Sequence, residues 1–137
     1  METRVTQKAI ILNSEGKVLS LHRSSTDPTS PNKWDLPGGE IDFGEDAFNA
    51  LIREVNEECG LSVKDIKPFD VESHKNDKGE FWVTIAYIVK TKSDDIKLSF
   101  EHDEFRWLSP KEFLELESTN KIRRFINNLA RSGNRDT

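Results

Sequence analysis

The segment Gly39 to Leu61, GEIDFGEDAFNALIREVNEECGL, constrains the fold of this chain more than any other stretch. From Glu45 to Cys59 it holds neither proline nor glycine, and Ala47, Phe48, Leu51, Ile52, Val55 and Cys59 recur at helical spacing. At about 100° per residue these apolar side chains fill one broad arc, and Glu54, Glu57 and Glu58 gather on a neighbouring arc. Gly38-Gly39 marks a turn before the predicted helix, and Gly60 is placed to cap its end. Glu45, at the helix start, suits the positive end of the helix dipole. Arg53 can pair with Glu57 one turn later or reach a carboxylate in the loop, which makes it an orienting residue.

Three carboxylates on one helix edge have two readings. A solvated acidic face is the usual meaning of such a run. Like-charge pairs at this spacing cost roughly a few tenths of a kcal/mol each, however, and the glycine-framed unit around them makes more sense beside a cation. Hard oxygen ligands suit Mg²⁺, with Mn²⁺ able to take its place.

Read from Gly39, the frame runs glycine, five residues, Glu45, seven residues, Arg53-Glu54, an apolar Val55, one residue, Glu57-Glu58, one residue, Gly60 and an apolar Leu61. It resembles the signature of the Nudix hydrolases, of the MutT-like kind, at every defining position. Independent residues would produce such a match on the order of once per billion starting points. KWDLPGGE before the frame and EFRWLS after it also look like that family, so the resemblance spans most of the chain. It implies Mg²⁺-dependent hydrolysis of a nucleotide pyrophosphate bond, with Glu54, Glu57 and Glu58 as metal ligands and the Gly38 carbonyl as a further one. Family members take their general base either from the helix or from a later loop. The candidates here are Glu54 or Glu57 and, in the later segment, Glu104, with Glu101 and Asp103 as neighbours that could substitute.

Around this unit, Val5 to Leu12 and Lys17 to Leu21 read as strands joined in a hairpin by Asn13-Ser14-Glu15-Gly16. Residues 24–32 read as a loop, and Lys33 to Leu36 as a short strand leading into Pro37-Gly38-Gly39. Leu61 to Ser73 and Phe81 to Lys92 read as extended, joined by the turn Asn76-Asp77-Lys78-Gly79. Glu104 to Leu108 is a last strand, Ser109-Pro110 opens a helix to about Leu116, and Asn120 to Ala130 supplies another. That order gives a mixed β-sheet with helices on both faces, in agreement with the α/β/α sandwich that the resemblance implies. The expected organisation is one domain over residues 1–130 and a loose tail over 131–137.

Composition bounds the partners. The net charge of -5 and pI near 5.3 argue against general nucleic-acid binding, which rests on clustered Lys and Arg. No apolar run approaches the roughly 20 residues needed to span a membrane, and METRVTQ lacks a signal peptide's apolar core, so a cytoplasmic location is expected. Cys59, the only cysteine, falls on the apolar arc and reads as a core residue. His102 reads as a solvated loop residue.

For the substrate, Arg23 is placed to grip a phosphate, and Gly39 is a further candidate contact. Asn120 resembles a base-reading asparagine of the family branch that cleanses oxidised guanine nucleotides, although a helix N-cap explains it as well. Trp34, Phe81, Trp82 and Trp107 offer stacking surfaces; Trp82 and Trp107, in apolar strands, read first as core. The short chain leans toward free nucleoside triphosphates. Alternatives are an ADP-ribose or dinucleoside polyphosphate pyrophosphatase and, from another class, a non-catalytic nucleotide-sensing module. Exposed strand edges could pair two copies into a homodimer.

Overall fold

The computed structural model describes residues 2–132. Strand β1 (Thr3–Ile11) is the axis, because both of its backbone edges are paired. On one side it runs antiparallel to β4 (Gly38–Glu40), matching Thr6 with Glu40 and Lys8 with Gly38. On the other it runs parallel to β6 (Phe81–Thr91), from Thr3 opposite Phe81 to Ile11 opposite Val89. Strand β5 (Val63–Lys75) adds antiparallel to β6, so the sheet is mixed, in the order β4-β1-β6-β5. A second, antiparallel sheet is built from β2 (Val18–Arg23), β3 (Trp34–Asp35) and β7 (His102–Leu108), in the order β3-β2-β7.

The expected β1–β2 hairpin is therefore corrected. The turn exists: the Asn13 side chain accepts from the backbone N–H groups of Glu15 at 3.0 Å and Lys17 at 2.9 Å. Only the single bridge Leu12–Val18 follows it, and the two strands then part into different sheets. Strands β4 and β6 already occupy both edges of β1, which leaves β2 no ladder to join. The glycine pair is likewise not a turn but lies within β4, where Gly38 has φ 155 and an added Cβ would fall 1.9 Å from the Gln7 carbonyl oxygen.

Among the described residues three helices complete the layers: α1 (Ala47–Cys59), α2 (Pro110–Leu114) and α3 (Asn120–Ser132). Side chains alternate across β1 and sort them. Ala9 and Ile11 pack with Leu51, Val55 and Cys59 of α1, whereas Ile10 packs on the opposite face with Phe113 of α2 and Phe125 and Ile126 of α3. Helices thus cover both faces, each fully buried Leu, Ile or Phe contributing about 1.5–3 kcal/mol. Helix α1 starts later than expected, at Ala47, because the Asp46 side chain caps it by accepting from the Asn49 N–H at 3.0 Å. Helix α2 opens on a Ser109/Glu112 capping box and ends at Leu114. Helix α3 continues through Arg131 and Ser132, two residues assigned to the tail; the rest of the expected tail, 133–137, lies outside the described residues. Among the described residues no helix is long and apolar enough to cross a membrane.

Between the two sheets lies a buried ion cluster. Asp35, 5% exposed, accepts from Lys8 Nζ at 3.0 Å and from Arg23 Nη1 at 2.5 Å, and Arg23 Nη2 reaches Asp27 at 2.7 Å. Burial pushes the Asp35 carboxyl up, but the Lys8 and Arg23 charges outweigh it and hold the carboxyl at about 2. A folded-state value below the ordinary 3.8 stabilises the fold above that pH, and the contribution disappears as pH falls from about 4 towards 2. Thermal melts of the wild type should therefore lose stability across that window. Asp35→Asn should flatten the acid limb and, by leaving two cations unpaired, destabilise the protein at pH 7 by about 3–5 kcal/mol. A variant with the wild-type acid limb would show that Asp35 is not the titrating group.

Candidate active site

The C-terminal half of α1, strand β4 and the segment after β6 meet at one cavity of about 300 Å³. Gly60, in the left-handed region at φ 71, ends α1 and returns its N–H to the Asn56 carbonyl. The chain after β6 then satisfies further carbonyls of the last turn: Lys97 N–H donates to Cys59 at 2.8 Å and Ser99 N–H to Glu58 at 3.1 Å. Those bonds deliver Glu101 and His102 to the cavity that Glu54 and Glu58 line from the helix. A further bond, Ser24 N–H to the Glu101 carbonyl at 3.1 Å, pins that segment to the end of β2.

Each glutamate is held differently. Glu58, 9% exposed, accepts from the Gly38 N–H at 3.1 Å; burial is the main influence on its carboxyl, and although Lys8 and that N–H oppose it, the group is pushed up to about 8. Glu54 lies against Gly39, where an added Cβ would sit 2.5 Å from the carboxylate, and burial raises its carboxyl too. Arg53 binds Glu45 through Nε at 2.9 Å and Nη2 at 3.1 Å, and its Nη1 reaches Glu54 at 3.1 Å and Glu57 at 3.2 Å. Glu45 therefore precedes the helix as an anchor for Arg53 and does not sit in its first turn.

Among the described residues, six acidic and two basic side chains line this cavity. Burial first, and then the neighbouring carboxylates, make Glu54 and Glu58 resist ionisation, and a hard cation with oxygen ligands fits that donor set. Among the described residues no three Asp, Glu, His or Cys side chains already converge as a ligand cluster. Glu57 in particular is turned to Arg53, so it would have to leave that ion pair to join Glu54 and Glu58.

Other expected residues fall less neatly. Glu104 is not brought to the cavity: it lies on β7 with its carboxylate bonded by Arg106 Nε at 2.7 Å. Its neighbour Asp103 turns to His22 at 2.6 Å. Arg23 lines the cavity but is bound to Asp27 and Asp35, leaving only its buried Nε without a partner. His102 is 8% exposed, not a solvated loop residue, and burial lowers it to about 4, so it is neutral near pH 7. It opens β7, a strand that reads HDEFRWL and is otherwise mostly exposed, so its sequence neighbours carry no signal of its burial. Cys59 is buried as expected, its thiol pushed up to about 12 by burial.

A larger cavity of about 830 Å³ adjoins the first, sharing Lys8, Arg23 and Asp35. Asn120 and Trp82 line it. Trp82 is thus a wall residue, with the Arg4 guanidinium 4.7 Å from its ring centroid, in contrast to the core position expected for it. Trp107 does pack against the core, and Trp34 is buried.

The family model of the NUDIX domain matches residues 2–129. The RNA pyrophosphohydrolase of Ruthia magnifica is 46% identical over 57 residues, 42% of this chain and 29% of its own length. The asymmetrical bis(5'-nucleosyl)-tetraphosphatase of Caenorhabditis elegans is 31% identical over 97 residues, 67% of this chain and 65% of its own. The chain thus spans less than a third of the first relative and under two thirds of the second. Among solved structures, a MutT NUDIX hydrolase from Burkholderia pseudomallei superimposes with a TM-score of 0.82 at 26% identity, covering 94% of this chain and 99% of that one.

The contact between Gly39 and Glu54 yields a direct test of the cation fit. A methyl group there must displace the flexible end of Glu54 and not the backbone. Gly39→Ala should keep its melting temperature within about 3 °C, while Mn²⁺ affinity measured by paramagnetic resonance falls about tenfold. Unchanged Mn²⁺ binding would separate Glu54 from the metal.

Proposed function

The chain belongs to the NUDIX family, and from that premise we propose that it hydrolyses a pyrophosphate bond in a nucleoside triphosphate or another nucleoside diphosphate derivative, with Mg²⁺ as cofactor and Mn²⁺ as a substitute. The observation that supports this most is one cavity, beside Gly38 and Gly39, lined by the buried Glu58, the half-buried Glu54 and, at its rim, the exposed Glu101. A purely structural helix edge would be solvated, whereas Glu54 and Glu58 are drawn inward at a cost that Arg53, Lys8 and the Gly38 N–H offset in part and a bound cation would offset further.

Glu54 and Glu58, with the Gly38 carbonyl, would hold the ion, and Glu57 would complete the set on release from Arg53. When bound, the ion neutralises the diphosphate oxygens and lowers the pKa of water beside them. The remaining work falls to the chain's own groups. Arg53, anchored on Glu45, keeps the Glu54 and Glu57 side chains on one edge of α1. Glu101, the exposed carboxylate at the cavity rim, is placed to take the proton of an attacking water, with Glu54 as the alternative base; Glu104 is engaged elsewhere. Neutral His102 closes the cavity wall beside it and adds no positive charge. The adjoining larger cavity, with Trp82 and Asn120 on its wall, would receive the nucleoside. The C. elegans relative carries its likeness over 67% of this chain, which makes a dinucleoside polyphosphate the second substrate class to test.

Product analysis with Mg²⁺ should show release of a nucleoside monophosphate from one class among nucleoside triphosphates, oxidised guanine nucleotides and dinucleoside polyphosphates. Glu101→Gln should lower kcat by about 10²–10⁴-fold with Mn²⁺ binding intact, whereas Glu104→Gln should stay within about twofold of wild type. The reverse order of effects would move the base to Glu104. Silence of the wild type across the panel, with nucleotides still bound, would favour a sensing module.

A further inference from the structure

The two adjoining cavities carry opposite charge. Among the described residues the smaller has six acidic against two basic side chains, and the larger has five basic against three acidic, on a chain whose net charge is -5. Most of the cations in the larger cavity are already paired. Arg4 binds Glu40 at 2.8 Å and Glu80 at 3.1 Å, Lys8 binds Asp35, and Arg23 binds Asp27 and Asp35. Lys78 lies exposed on the turn between β5 and β6. Lys121, half-buried on the first turn of α3, has no ion pair or hydrogen bond among the described residues.

The charges that reach Lys121 do not compensate it. Lys8 and Arg23 face it from β1 and β2; Asp35 opposes them but is engaged by both, and Glu72 is engaged by His74 at 3.0 Å. Burial, and then the Lys8 charge, push the Lys121 ammonium down to about 8. Two other residues that line this cavity each keep a buried polar atom without a partner: the Thr119 hydroxyl, just before α3, and Arg23 Nε. Helix α3 has no acidic residue in its first turn, so its amide groups add to the positive field. A desolvated ammonium on a cavity wall, without a counter-charge of its own, calls for an acceptor that carries negative charge.

We propose that Lys121 grips a phosphate of the nucleotide on the nucleoside side of the metal-holding carboxylates, and so sets the preference for phosphorylated over bare nucleosides. The proposal rests on the nucleotide reading given above. In that arrangement the acidic cavity takes the cation with the scissile diphosphate, and Lys121 takes the phosphate that stays with the nucleoside. Its place in the chain, directly after Asn120, puts phosphate recognition and the candidate base contact on the same turn.

The test is titration calorimetry with divalent metal removed by chelation, so that no ion supplies phosphate affinity. The probes are AMP, GMP, CMP and UMP, each beside its own nucleoside. Wild type should bind at least one monophosphate about tenfold or more tightly than the nucleoside. Lys121→Met should lose that preference while its nucleoside affinity stays, and Lys121→Arg should restore most of it. Should Lys121→Met fail to fold, Lys121→Gln is read in the same way. Wild type without a phosphate preference, or a Met or Gln variant that keeps it, overturns the proposal. A Lys121-dependent preference in a protein that hydrolyses nothing would leave this inference standing and remove the catalytic one; active enzyme without the preference would do the reverse.

Discussion

Helix α1 is tied to the sheet at its most demanding point by one hydrogen bond, from the Gly38 amide to the buried Glu58 carboxylate. A charged group at that depth is costly unless something meets it. Its existence therefore dictates much of the surroundings: a glycine in β4 that lets the strand close on Gln7, a second glycine that leaves room for Glu54, and a lysine from β1 near enough to act on the carboxyl. The same requirement explains why β4, only three residues long, takes an edge of β1 that a β1–β2 hairpin would otherwise use. Topology here follows from the site as much as from packing.

The ion cluster of Lys8, Asp35 and Arg23 is the second constraint, and it joins the two sheets. Lys8 comes from the mixed sheet, whereas Asp35 and Arg23 come from β3 and β2 of the antiparallel one. Hydrophobic contact alone would allow the sheets some freedom to slide. A buried carboxylate shared by two cations fixes the spacing, because displacement of either partner leaves a desolvated charge. It also fixes the position of the wall that separates the acidic cavity from the basic one, since all three residues line both.

How much of this could be read in advance divides along physical lines. Helix α1, its glycine ending and its carboxylate edge were legible because period, breakers and charge all agree over one continuous stretch. The strands of β1, β5 and β6 were legible for the same reason, with ends off by two residues or so. Strand partners were not, because pairing depends on which edges remain free, a property of the whole chain that no local pattern records. The site residues outside the helix show the same limit. Glu101 and Glu104 lie three positions apart in one acidic run, and only the bonds from the end of α1 and from Ser24 decide that Glu101 reaches the cavity. Trp82 was misread because an apolar strand looks the same whether its partly buried side chain meets core or a cavity wall.

Lys121 illustrates a signal that sequence reasoning cannot weigh at all. In the run NKIRRFINN it is one basic residue among three, on a helix whose polar face is expected to be charged. What distinguishes it is subtraction: Arg124 finds Asp70 and Arg123 finds the Leu114 and Leu116 carbonyls, while Lys121 faces cations across a cavity. A charge left uncompensated by the folded chain marks a place where something else is meant to bind, whereas the same charge on an open surface marks nothing. The carboxylates at the other end of the cleft follow the same logic with the opposite sign, so the fold sets an acidic and a basic cavity side by side, and the metal-chelated nucleotide proposed above would present both complementary charges in that order.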